Sequence, residues 1–279
     1  MTTVELTVLE AGSCEQLEHF VLRTRSTRKL RFPALYAMIR HPRHGVVLFD
    51  AGYSRHVLEL CESWPERAYV LTLPVSLPEE DDPVHKLRSL GVAPEDVGHI
   101  FLSHFHIDHV GALRDFPRAQ FVYRDTAWLA VRGLGRVAGL KRAFMGGLIP
   151  DDFEDRGRPF GASDYRPLAD TYSPFESGFD VFGDGSLIAV DLPGHATGQV
   201  GLFVQTGDET VFLSADACWT TRSYADNVLP ARIAGAVFDS WDDYRTSLSR
   251  LHRFHELHPE IPILPSHCQQ AWDAWRSRR

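Results

Sequence analysis

Four side chains able to bind a metal ion stand within six residues in His104-Phe105-His106-Ile107-Asp108-His109, one residue after the apolar run Ile100-Phe101-Leu102. On extended backbone, side chains two apart leave the same face about 7 Å from each other, so His104 and His106 can converge on one ion. A catalytic zinc takes about three protein ligands and keeps one position open, so this group, with whatever the fold adds later, overfills a single centre. Two divalent ions roughly 3.5–4 Å apart, with Asp108 and His109 turned to the second, suit the spacing. The plain alternative is a histidine-rich surface loop, natural in a chain with 14 His. Ligand types at this spacing argue against it.

The stretch resembles the HxHxDH signature of the metallo-β-lactamase superfamily, and the resemblance continues along most of the chain. That family's later ligands are a His after a Pro-Gly turn, an Asp at a strand end and a His near the C-terminus. Here stand Leu192-Pro193-Gly194-His195-Ala196-Thr197-Gly198-Gln199, Phe212-Leu213-Ser214-Ala215-Asp216-Ala217 and Leu264-Pro265-Ser266-His267. The resemblance implies that His104, His106 and His195 hold the first ion, that Asp108, His109 and His267 hold the second, and that Asp216 bridges. It implies two divalent ions per chain, zinc foremost, with Fe, Mn or Co as alternatives. Asp50-Ala51-Gly52 is similar to the family's early Asp-x-Gly, which makes Asp50 the residue that orients a ligand His. A turn or helix-cap aspartate is its plain reading.

The expected chemistry is hydrolysis. Two divalent ions bring about +4, and two carboxylates with a bridging hydroxide remove about three, so the centre stays electrophilic. A bridging hydroxide available near neutral pH would attack a carbonyl, with Asp216 in the bridge and Asp108 carrying a proton to the leaving oxygen. Flavodiiron-type relatives have Glu where His106 stands, and single-iron persulfide dioxygenases lack the second set of ligands, so the resemblance favours hydrolysis over redox chemistry. Among hydrolases the chain is most similar to N-acyl-homoserine lactone lactonases, which implies a lactone or related ester as substrate. A thioester of the glyoxalase II type, a phosphodiester, a metal oxygenase and a non-catalytic scaffold are the alternatives. The chain departs from the lactonases in two places: Val110-Gly111-Ala112 replaces a double glycine, and Trp219 replaces a substrate-facing Tyr. Trp219 is expected to line the substrate site, either as a donor to the substrate carbonyl or as a hydrophobic wall, with Tyr224 as the other donor available in the second case.

These residues need a scaffold of strands that end at the site. Val4–Leu9, Ala34–Ile39, Val46–Asp50, Ala119–Tyr123, Phe179–Phe182, Leu187–Leu192, Val200–Gln205, Thr210–Ser214 and Ile261–Leu264 read as strands, and Arg55–Glu62, Val84–Leu90, Asp125–Val131, Trp241–Leu257 and Gln269–Arg278 as helices. Strand-helix alternation is α/β. The resemblance implies the four-layer αββα metallo-β-lactamase sandwich, two mixed β-sheets face to face with helices outside. A single domain over residues 1–279 is expected, with an irregular pocket-forming insert at about 132–178 whose Phe144 and Tyr172 would line the substrate site. His41 and His44 fall in a hairpin turn, and His252, His255 and His258 on one helix face.

Composition sets the partners. A net charge of −8 disfavours a nucleic-acid substrate, and no window nears the ~18 uncharged apolar residues of a membrane span. Cys14, Cys61, Cys218 and Cys268 are scattered without a CxxC pair, and the N-terminus lacks a secretion signal, so a cytoplasmic enzyme of a small-molecule substrate is expected. A homodimer is compatible with all of this.

Overall fold

Apolar, β-branched runs build two mixed sheets in the computed structural model, which describes residues 2–278. By contacts the chain forms two compact units, neither continuous in sequence. One is made of Leu6–Glu15 and Arg31–Pro159; the other, of Gln16–Leu30 with the described residues up to Glu5 and from Phe160 onward.

In the first unit the strands are β1 (Glu5–Leu17), β2 (Lys29–His41), β3 (Gly45–Phe49), β4 (Val75–Ser76), β5 (Val97–Leu102), β6 (Gln120–Arg124) and β7 (Gly157–Phe160), in the order β4-β1-β2-β3-β5-β6-β7. The hairpin β2–β3 turns at His41, whose Nδ1 accepts from the amides of Arg43 and His44 at 3.1 and 3.2 Å, so His41 and His44 serve the turn. From β3 the pairing becomes parallel through β5 and β6, with Phe49 opposite Phe101. Parallel strands lie buried on both faces, which explains why Ile100-Phe101-Leu102 is apolar without alternation. The core formed on this sheet includes Leu48, Ile100, Leu102, Phe121 and Phe153.

The second unit contains β8 (Arg166–Pro167), β9 (Ser177–Asp180), β10 (Leu187–Asp191), β11 (Val200–Gln205), β12 (Thr210–Ala215) and β13 (Ile263–Pro265). Their order is β13-β12-β11-β10-β9-β8, antiparallel except for the parallel pair β12–β13. Phe203 stacks on Phe212 at 3.9 Å, and the helix Trp241–Leu257 lays Tyr244, Leu248, Leu251 and Phe254 into the same core. That spacing is one helical stripe. Ser240 caps the helix, its hydroxyl accepting from the Asp243 amide at 3.2 Å. On the flank of this helix, His252 Nδ1 lies 2.9 Å from the Tyr224 carbonyl and His258 Nε2 lies 3.1 Å from that of Ser173, so both serve packing.

The 132–178 segment differs from expectation. It is divided between the units: the helix Arg136–Leu140 and most of β7 belong to the first, while β8 and β9 complete the second sheet. Its glycines and prolines punctuate elements of two to five residues, too short to leave a periodic signal. Tyr172, expected on a pocket wall, instead packs edge-on against Phe203 at 5.0 Å and receives a hydrogen bond from Gln205 Nε2 at 3.1 Å. It is a core residue, 6% exposed, and its part is packing. Phe144 is buried in the first unit's core and borders a cavity of about 410 Å³ with Trp128, Ile149 and Phe153.

Candidate metal centre

In the first unit, β5 ends at Leu102 and the candidate ligands follow it, not on the strand itself but on the turn beyond. His104 and His106 come from extended loop, and Asp108 and His109 from the short helix Ile107–Val110. The strand ends where the Ser103 amide turns to the Asp50 carboxylate. His104 is fully buried and its ring centroid lies 4.5 Å from that of His106 and 4.1 Å from that of His109. Ligand atoms of His104 and His106, of His104 and His109, and of Asp108 and His109 lie within 4.8 Å of each other.

Two neighbours fix the rings. Asp50 is buried at the end of β3, where its φ of 61° is a backbone state that a short polar side chain tolerates. Its Oδ2 accepts from His109 Nδ1 at 2.8 Å, and its Oδ1 accepts from the Ser103 amide at 2.8 Å. The Ser103 hydroxyl donates to Asp50 Oδ2 at 2.8 Å and stands 2.9 Å from His104 Nδ1. A hydroxyl has one proton, and a carboxylate only accepts, so Ser103 must accept from His104 Nδ1–H. Both imidazoles are thereby held as Nδ1–H tautomers, which leaves Nε2 as the nitrogen able to ligate a metal. Ser103 was not legible as a site residue, because a serine before a histidine carries no signal of its own. Replacing Asp50 by Asn should weaken metal binding about 10- to 100-fold, the usual scale for such supporting groups, measured by competition with a chelator. Unchanged affinity would remove Asp50 from the site.

In the second unit, Asp216 follows β12 and lies 2% exposed. Its Oδ2 lies 3.2 Å from His195 Nε2 and 3.0 Å from His267 Nε2, so the two rings meet on one carboxylate oxygen. Trp219 Nε1 donates to the same oxygen at 3.3 Å, its ring 5.7 Å from His195 and 5.4 Å from Phe238. Tyr224, the other expected donor, is 6% exposed in the core with its ring edge-on to His255 at 5.2 Å. Burial pushes its hydroxyl well above the ordinary phenol range, and we assign it to packing.

The turn carrying His195 is strapped to the start of the long helix. The Asp239 carboxylate accepts from Thr197 N at 2.8 Å and Thr197 Oγ1 at 2.6 Å, and Ser247 Oγ donates to the Pro193 carbonyl at 2.7 Å. Gly194 has φ 125°, and a Cβ there would lie 2.0 Å from the Tyr244 amide nitrogen. Gly194→Ala should therefore destabilise the protein by more than about 4 kcal/mol, among the largest single-residue effects. A thermal melt within a few degrees of wild type would contradict this close approach.

The donor set fits divalent ions of the zinc type: buried imidazoles, two of which, His104 and His109, have their second nitrogens tied down, and carboxylates beside them. The chain belongs to the metallo-β-lactamase superfamily, whose sequence model matches residues 31–256. It has that family's α/β fold with two mixed sheets. Among curated proteins it is similar to the N-acyl homoserine lactonase AttM of Rhizobium radiobacter, 26% identical over 248 residues and 85% of either chain. The lactonase AiiB of Agrobacterium fabrum is 26% identical over 257 residues, 85% of this chain and 84% of the relative. Among solved structures it is similar to an N-acyl homoserine lactone hydrolase with the product N-hexanoyl-L-homoserine at its catalytic metal centre, at TM-score 0.76, 20% identity, and 98% and 97% coverage. AidC, a dizinc quorum-quenching lactonase, follows at TM-score 0.64, 13% identity, and 97% and 90% coverage.

Proposed function

We propose that this chain is a metal-dependent lactone hydrolase in which His104, His106, Asp108, His109, His195, Asp216 and His267 act together as one centre for two divalent ions. The observation that carries the reading is the convergence of His195 and His267 on one oxygen of Asp216, the arrangement a bridging carboxylate requires. In this assignment His104, His106 and His195 hold one ion, Asp108, His109 and His267 the other, and zinc is the first candidate, with Fe, Mn or Co as alternatives. The ions, when bound, would bring the pKa of a coordinated water toward ~7 and polarise the scissile carbonyl. Asp50 and Ser103 hold the imidazole tautomers, Asp216 holds two ligand rings in register, and Asp108 delivers a proton to the leaving oxygen as the ring opens.

The substrate class rests on relatives named as N-acyl homoserine lactonases over most of their length. A small neutral ester also suits a chain of net charge −8, on which a polyanion would be repelled. We place the enzyme in the cytoplasm, a reading that its four buried cysteines, none of them in a disulfide among the described residues, support. Among the described residues no helix is long and apolar enough to cross a membrane.

Trp219 departs from the first of the two roles expected of it, that of donor to the substrate carbonyl. An indole has one N–H to give, and Asp216 takes it. Its part is therefore to hold Asp216. Trp219→Phe, which keeps the ring but loses the donor, should lower kcat/KM on N-acyl homoserine lactones about tenfold, worth ~1.4 kcal/mol, through kcat rather than KM. A rise in KM alone would return Trp219 to the substrate.

A further inference from the structure

In the second unit, residues 231–240 expose apolar side chains beside one of the candidate ligands. The 3₁₀ helix Arg232–Val237 buries none of its residues and leaves Ile233 65% and Val237 54% exposed. Phe238 follows it, half-buried, with its ring edge-on to that of His195 at 5.4 Å. Single apolar residues in solvent are ordinary, but here three large ones lie within six residues and lead to a buried imidazole of the site. No charge interrupts them between residues 233 and 238.

The backbone beneath these side chains is fixed. The Asp239 and Ser240 amides donate to the carbonyls of His195 at 3.3 Å and Gly194 at 3.0 Å, so the two residues after Phe238 are laced to the turn that carries His195. The Phe238 ring stacks on Tyr244 at 4.2 Å and on Trp241 at 5.8 Å. Gly235 lies on the same indole, where a Cβ would come within 2.8 Å of Trp241. At the far end, the Ala231 amide donates to the Phe20 carbonyl at 3.0 Å. An apolar surface held in place before its ligand arrives binds at a smaller entropic cost.

We propose that Phe238, Val237 and Ile233 are specificity-determining residues, an apolar shelf that takes the acyl chain of the lactone and makes the enzyme select long chains over short ones. The proposal rests on the reading of this centre as a lactone hydrolase. Three side chains offer far less than the ~800 Å² per partner that a stable protein contact takes, whereas a hydrocarbon tethered to a lactone beside His195 needs only a narrow track. A 3₁₀ helix rises about 2 Å per residue, so the shelf runs roughly 10 Å from Phe238 to Ile233. A decanoyl chain can follow all of it and a butanoyl chain only its Phe238 end. Each further CH₂ laid on the shelf should raise kcat/KM by up to about fourfold, the equivalent of ~0.8 kcal/mol for full burial.

The test has an arm that needs no turnover. In protein labelled with 5-fluorotryptophan, Trp219→Phe and Trp241→Phe assign two of the 6 tryptophan resonances. Ring-opened N-decanoyl-L-homoserine should shift the Trp241 resonance of the zinc-loaded protein at a concentration at least about tenfold lower than N-butanoyl-L-homoserine does. Ile233→Ser combined with Val237→Ser, both at exposed positions that the fold does not rely on, should erase that difference. In the second arm, the double variant should lower the ratio of kcat/KM on decanoyl lactone to that on butanoyl lactone about tenfold, through KM. Equal responses of Trp241 to the two chain lengths, or a kcat/KM ratio that the double variant leaves in place, overturn the shelf. A wild-type dimer that the double variant dissolves, with the ratio unchanged, overturns it as well and makes the segment a contact between copies. Wild type that opens no lactone, while the decanoyl compound shifts Trp241 and the double variant abolishes the shift, would sink the proposed function and uphold the acyl shelf.

Discussion

Replacing Asp216 by alanine is expected to cost the protein at least one of its metal ions and to lower kcat/KM on lactones about a thousandfold or more, roughly 4 kcal/mol of transition-state stabilisation. The reason is geometric. His195 and His267 both direct Nε2 to Asp216 Oδ2, at 3.2 and 3.0 Å, and Trp219 donates to the same atom. Without the carboxylate, two imidazoles face each other with no anion between them, and the charge balance that lets divalent ions sit in a buried site is lost. Asp216 lies in a backbone turn after β12, where Ala215 has φ 48°, and that strain is there with either side chain. The fold should survive. Elemental analysis beside steady-state kinetics checks this, and a variant that keeps both ions and near-normal rates would remove Asp216 from the centre.

Asp108→Asn should act differently, because the second task we propose for Asp108 is to move a proton. General acid–base catalysis contributes about 10²–10⁴-fold, so kcat on lactones should fall within that range. The loss should depend on the leaving group. A lactone leaves as an alkoxide that needs a proton, whereas an aryl ester with an acidic phenol leaves without one, so p-nitrophenyl esters should lose far less. Equal losses on both substrates would make Asp108 a ligand only. Asparagine keeps the shape of the turn, since the helix Ile107–Val110 and the Asp50–His109 contact do not use the Asp108 carboxylate.

The candidate ligands were legible because metal-binding residue types stand out at local spacing: His104, His106, Asp108 and His109 share one turn, and His195, Asp216 and His267 each close a strand or turn with its own signature. Strands with β-branched cores and the helix Trp241–Leu257 with its Ser240 cap were legible for the same local reasons. What holds the ligands was less so. Ser103 and Asp50 are 53 residues apart and meet only when β3 and β5 pair in parallel. Asp50 could be suspected by resemblance alone, and Ser103 not at all. β1 was expected over Val4–Leu9 but runs from Glu5 to Leu17: Gly12 takes φ 77° within the strand, and β4 pairs beside it at Ser13–Ser76 and Cys14–Val75. Aromatic content also misled: Tyr172 looked like a pocket residue and is a core residue, since a tyrosine in either place needs one apolar face and one partner for its hydroxyl.

The most direct test is a zinc titration of the metal-free protein, following bound metal by elemental analysis and the initial rate of N-acyl homoserine lactone ring opening in the same samples. Seven ligands around two ions predict that the rate climbs to a plateau at about two equivalents per chain and that a chelator abolishes it reversibly. A plateau at one equivalent, or no ring opening with two ions bound, would contradict the account.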